Sequence, residues 1–130
     1  MKYLLSTIMF VCLLGTVSAQ SPLAFHHSEA RLAWDKTSHQ FGEVQHQVPQ
    51  SAVFTFINQS AEPVLITQAK GSCGCTVASY TQEAIPPGGT GIVRATFNAQ
   101  QLGAFNKTVS VLTNASEELQ VLRIQGTVVE

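Results

Sequence analysis

The sequence predicts an all-β fold: an immunoglobulin-like antiparallel β-sandwich of about seven strands, in one domain preceded by a signal peptide. Three observations predict it. Short runs rich in β-branched and aromatic residues alternate apolar with polar positions. Gly, Pro, Asn and Ser clusters punctuate these runs at short, regular spacing. Beyond residue 20, no stretch sustains a period near 3.6.

The N-terminus reads as a processing signal. Lys2 supplies a positive start, Leu4 to Leu14 is an almost unbroken apolar run, and Val17-Ser18-Ala19 offers the small or apolar residues a signal peptidase reads. That run is shorter than the roughly 20 residues a bilayer-spanning helix needs. Residues 1–19 are therefore expected to be a cleaved secretory signal, residues 20–30 a leader segment, and residues 31–130 the sandwich. Cys12 falls inside the apolar run and has no assigned role.

The strands follow in order. Leu32 and Trp34 alternate with Ala33 and Asp35. Phe41-Gly42-Glu43-Val44 carries a glycine where a bulge or bend is tolerated. Ser51 to Asn58 places Phe54 and Phe56 on one face and Val53, Thr55 and Ile57 on the other. Asn58 to Pro63 is a turn by composition. Val64 to Thr67 is the next strand, running toward Ser72-Cys73-Gly74-Cys75-Thr76, and Thr76 to Tyr80 leaves that motif. Ile85-Pro86-Pro87-Gly88-Gly89 is excluded from mid-sheet by two missing donors. Gly91 to Asn98 turns Val93, Ala95 and Phe97 inward. Gln100 to Gly103 turns. Phe105 to Thr113 places Val109 and Val111 inward. Asn114 to Glu118 turns again, and Leu122, Ile124 and Val128 alternate in a last strand.

Composition excludes several function classes. Loss of Lys2 with the signal takes Lys+Arg from 7 to 6 against 8 acidic residues, a net charge of −2. This balance carries no electrostatic footprint for nucleic acid and no polybasic membrane patch. Charged residues make up 12% of the chain, about half the usual ~25%, so surface polarity falls to Gln, Ser, Thr and Asn. No segment after the signal is long and apolar enough to span a membrane. Both methionines lie in the signal, and Cys73 and Cys75 are the only cysteines after it.

These landmarks resemble the exported bacterial domains catalogued as domain of unknown function 1573, common in Bacteroidetes. The matching pieces are Phe41-Gly42-x-Val44, Phe54-x-Phe56-x-Asn58, Pro63-Val64-Leu65-Ile66, Ser72-Cys73-Gly74-Cys75-Thr76, Ile85-x-Pro87-Gly88, Val93 to Asn98, Gly103-x-Phe105-x-Lys107, Asn114-Ala115 and Leu122-x-Ile124-x-Gly126. The resemblance spans about Leu32 to Val128. It implies an immunoglobulin-like fold, similar to the group that includes the major sperm protein, and implies no established activity.

The Cys73-Gly74-Cys75 motif admits four readings. Buried cysteines can pack as small hydrophobes around a tight bend. Cys73 and Cys75 can form a local disulfide if the chain turns, since an extended strand would hold their Cα atoms roughly 6.6 Å apart, at the outer edge of disulfide geometry. Two thiolates can hold a soft metal, Cu(I) or zinc, with His26, His27, His39 or His46 brought in by the fold; no other cofactor is expected. A single activated cysteine would need a base and an orienting group, and with Asp35 as the only aspartate no such order is apparent.

Remaining features have plain readings. Asn58, Asn106 and Asn114 begin N-x-Ser/Thr sequences, expected to be unused in a bacterial protein, and Trp34 is expected in the core. The function expected is thus an uncharacterised exported module with a non-enzymatic protein-interaction or scaffold role in the periplasm or at the cell surface, its protein partner unknown. The alternative is thiol redox or soft-metal binding through Cys73 and Cys75.

Overall fold

Eight strands pack as two four-stranded sheets in the computed structural model, which describes residues 31–130. The expected signal and leader, with Cys12, His26 and His27, lie outside the described residues. The strands are β1 (Leu32–Trp34), β2 (Ser38–Gln45), β3 (Gln50–Asn58), β4 (Ile66–Gly71), β5 (Thr76–Tyr80), β6 (Thr90–Phe97), β7 (Gly103–Thr113) and β8 (Ser116–Val129). One sheet has the order β1-β3-β6-β5 and the other β2-β8-β7-β4. The chain is thus the expected all-β, immunoglobulin-like sandwich.

Period-two alternation builds the core. On β3, Ala52, Phe54, Phe56 and Asn58 are buried and point inward. Val93, Ala95 and Phe97 answer from β6, and Val109, Val111, Leu122, Ile124 and Val128 from the facing sheet. Each fully buried Phe, Leu, Ile or Val is worth roughly 1.5–3 kcal/mol of transfer free energy, so this alternation holds the two sheets face to face. Trp34 is half-buried and packs on the core with its ring 4.7 Å from that of Phe56.

Three elements differ from the sequence reading. β2 pairs with β8 in parallel, whereas every other pairing is antiparallel. The chain switches sheets between Trp34 and Ser38, where the Asp35 carboxylate accepts the backbone N–H of Lys36 (2.8 Å) and of Thr55 (3.0 Å). β2 thereby arrives alongside the C-terminal strand running the same way. Its register slips between Gln40 and Glu43, around Gly42 at φ +70°, so of the bulge or bend that this glycine tolerates it is a bulge that forms. The strand expected at Val64 to Thr67 lies further on, at Ile66–Gly71, and Val64 makes a lone bridge to Ile85. The turn expected over Asn114 to Glu118 shrinks to Asn114-Ala115, and β8 starts at Ser116 opposite Thr113.

Asn58 organises one pole of the sandwich. Its side chain is fully buried. The amide donates to the carbonyls of Glu62 (2.8 Å) and Ile85 (3.0 Å), and its oxygen accepts from the backbone and hydroxyl of Ser60. Its backbone bonds Gly88 and Gly89. Every polar capacity of the side chain is used inside the fold, so Asn58 is a structural hub and presents nothing for glycosylation. The cysteine motif lies away from this hub, where β4 hands over to β5.

Candidate functional site

The motif joins the two sheets. β4 and β5 are edge strands of different sheets, and Ser72 to Cys75 connects them. Ser72 is tied to one sheet: its N–H donates to the Thr108 carbonyl (2.8 Å), and its Oγ accepts from the Thr108 N–H (3.2 Å). The Cys75 carbonyl is tied to the other, accepting the Asn98 N–H at 3.0 Å. Between these anchors the chain makes a β-turn closed by Thr76 N–H to Cys73 carbonyl, 3.2 Å, with Gly74 and Cys75 at its centre.

That turn determines the chemistry of the cysteines. It brings their Cα atoms to 5.3 Å, and a disulfide joins Cys73 to Cys75. This separation is in the ordinary disulfide range. The sulfurs are bonded to each other, so the thiolate pair that a Cu(I) or zinc site requires is replaced. Among the described residues no group of three or more His, Cys, Asp or Glu gathers to hold a metal. His39 instead accepts from the Lys36 ammonium at 3.0 Å and stacks edge-on against Phe41, and His46 donates to the Gln100 carbonyl at 3.1 Å. Burial, and then the Lys36 charge, hold the His39 pKa below its ordinary value.

The two glycines near the turn have opposite demands. A Cβ on Gly71 would fall onto the Thr76 carbonyl, so only glycine allows the end of β4 to approach the start of β5. Gly74 has no positive φ, and a Cβ there would meet nothing within 4 Å. Glycine at position 74 is therefore not required by the turn, and it leaves open space beside the disulfide.

Both cysteines are half-buried. Cys75 packs on the core cluster. Thr76 is buried, and its Oγ lies 3.9 Å from each sulfur. Disulfide sulfurs carry no hydrogen, so the hydroxyl is the donor. Cys73 and Cys75 also line a cleft of about 310 Å³. Phe97 and Phe105, stacked with centroids 4.0 Å apart, form its apolar floor. Gln100, Gln101 and Leu102 form its lip, and Lys107 is the one cationic side chain on its wall. The lip is set by Ala99, buried at φ +54°, a left-handed conformation that costs a non-glycine residue roughly 1 kcal/mol. The motif itself was visible in the sequence. The cleft was not, because Phe97, Leu102 and Lys107 meet the motif only through the sandwich.

A second feature leaves the motif along β5. The bonds Asn98 N–H to Cys75 carbonyl and Thr81 N–H to Ile92 carbonyl give the ladder its phase. Val77 and Ser79 bond β6, which turns the N–H and C=O groups of Ala78 and Tyr80 to the outer edge. The Gln82 amide takes the Tyr80 carbonyl at 3.2 Å. Among the described residues no strand pairs with this edge.

A family model described as a protein of unknown function (DUF1573) matches residues 32–128. Among curated proteins, none matches. Solved structures share the fold at low identity. A Porphyromonas gingivalis protein of unknown function is 15% identical with a TM-score of 0.64, over 77% of this chain and 48% of that one, so the chain spans about half of that protein's length. A PapD-like domain of human CEP192 is 11% identical with a TM-score of 0.66, over 85% of this chain and 92% of that one. The Vibrio cholerae VesB protease is 18% identical with a TM-score of 0.58, over 78% of this chain but only 32% of the protease. These likenesses are likenesses of fold.

Proposed function

The chain belongs to the family of proteins of unknown function DUF1573, and on that premise we propose that it is an exported, non-enzymatic protein-interaction module that docks an extended segment of a partner protein on the edge of β5. One observation carries this reading. Sheet edges are normally blunted by charge, proline, bulges or brevity. β1 has only three residues, β2 carries a bulge and Glu43, and β4 carries a bulge and Lys70. β5, Thr-Val-Ala-Ser-Tyr, has no charge, no proline and no bulge, and its Val77 is 66% exposed. An added strand would bond the N–H and C=O of Ala78 and the N–H of Tyr80, the Tyr80 carbonyl being held by Gln82, and would cover Val77.

Supporting the non-enzymatic part, His39 and His46 make their bonds elsewhere, so neither serves the cysteines as a base. Supporting export to the periplasm or cell surface are the Lys2 to Ala19 pattern and a disulfide, which persists in oxidising compartments.

The test is site-specific photo-crosslinking in the source cells. A crosslinker at Val77 is expected to capture one defined protein, and one at Val121, exposed on the other sheet, is not. Ala78→Pro removes a free-edge donor but no ladder bond, and should abolish the Val77 adduct with the fold retained. Equal capture at both sites, or none at Val77, would refute docking on β5.

A further inference from the structure

We infer that the Cys73–Cys75 disulfide is an exchange site that takes two electrons from a dithiol segment of another polypeptide seated in the cleft beside it. This goes beyond the interaction reading and is independent of it, because it concerns the cleft rather than the β5 edge.

Four observations converge on the sulfurs. The disulfide is half-buried and lines an open cleft of about 310 Å³. Gly74, which the turn does not require, places no side chain between the two cysteines, and the space where its Cβ would lie is empty. The sulfurs are the hydrogen-bond partners of the buried Thr76 hydroxyl. A disulfide sulfur is a weak acceptor, so burying a hydroxyl against it gains little. A thiolate is a strong, charged acceptor, so the same hydroxyl stabilises the reduced state more than the oxidised one. Lys107 adds a positive charge on the cleft wall, which also favours a thiolate.

A thiolate of the incoming segment attacks Sγ of Cys73, the sulfur whose residue does not pack on the core. The Cys73–Cys75 bond breaks, and its electron pair leaves on Cys75 Sγ beside the Thr76 hydroxyl. The segment's second thiolate then attacks its own sulfur in the mixed disulfide and releases Cys73 as a thiolate. The segment ends as a disulfide, having lost two electrons and two protons, and Cys73 and Cys75 end as thiols. Each module oxidises one dithiol, so the exchange is stoichiometric.

The occupant is a polypeptide with an apolar residue next to its cysteines. Leu102 on the lip, 51% exposed above the buried Phe97 and Phe105, offers apolar contact, and a small thiol would use none of it.

The test uses the oxidised protein purified from its native source, in native buffer, with acid quenching and intact mass as the readout. The probes are a dithiol peptide with leucine flanks and glutathione, a small monothiol. The peptide is expected to reduce the folded protein, adding two hydrogens to it and losing two. Leu102→Glu should slow the peptide about tenfold, the effect of losing one leucine-sized contact, and change the glutathione rate less than twofold. A single-cysteine version of the peptide should be trapped on Cys73. Reduction only after denaturation, equal slowing of both probes, no slowing of the peptide, or equal adducts on Cys73 and Cys75 would overturn the inference. Ala78→Pro should leave the exchange rate unchanged, which separates this result from the fate of the β5 edge.

Discussion

Replacing Cys73 and Cys75 together by alanine tests whether the disulfide staples the sandwich or serves chemistry. The two cysteines are two positions apart. Closing so small a loop removes only about 1.5 kcal/mol of unfolded-chain entropy. Two half-buried sulfurs add roughly 1 kcal/mol of lost packing. The backbone anchors, Ser72 to Thr108, Cys75 to Asn98 and Thr76 to Cys73, do not involve sulfur and survive. The double variant should therefore fold and lose about 2–3 kcal/mol, or about 8–24 °C in Tm at roughly 4–8 °C per kcal/mol for a domain of this size. The assay is urea unfolding of the oxidised protein, the reduced protein and the double variant. Reduction alone should account for about 1.5 kcal/mol. By linkage the fold then holds the disulfide against reduction by only about 30 mV, which a partner dithiol can overcome. A loss above about 4 kcal/mol, or no cooperative transition, would refute this and mean that the disulfide holds the two sheets together.

Three further outcomes are expected. Asn58→Ala should cost about 2–3 kcal/mol, read as a shift in urea midpoint, because it removes four side-chain hydrogen bonds from a fully buried position, while the Ile85 carbonyl keeps the Val64 N–H and the Glu62 carbonyl keeps the Ser60 hydroxyl. Gly71→Ala should destabilise by at least about 2 kcal/mol through its clash with the Thr76 carbonyl, whereas Gly74→Ala should change stability by less than about 1 kcal/mol; equal effects would show that the turn is not as described. Stability should fall as pH drops below 6.5, because the unfolded chain takes up a proton on His39 that the folded chain, with its lowered pKa, resists. The urea midpoint should be lower at pH 5.5 than at pH 7.5, and His39→Gln should flatten that difference.

Much of the fold was legible because sheets write themselves into sequence with a period of two. Val93, Ala95, Phe97, Val109 and Val111 each announced an inward face, Phe54 and Phe56 a shared one, and all seven are buried. Gly42 marked a place where a bulge or bend is tolerated, and a bulge is there. The parallel pairing of β2 with β8 carried no local signal, since a strand's residues encode which face is buried and not the direction of its neighbour. Val64 was read as strand because it is apolar and β-branched, yet its partner is the single residue Ile85. Asn58 reads as a turn residue and is a buried hub, because beyond its local partners Ser60 and Glu62 its side chain also bonds Ile85, which only the fold brings beside it.

The cysteine motif divides the same way. Its residues, its spacing and its place between two strands are properties of the chain alone, and they restrict the chemistry to sulfur. Whether the sulfurs meet each other, a metal or the core depends on a turn that extended geometry would not make. That turn exists because Ser72 is held to Thr108 in one sheet and Cys75 to Asn98 in the other. The cleft beside it, like the unguarded edge of β5, is made by residues distant in sequence that only the packing of the two sheets brings side by side.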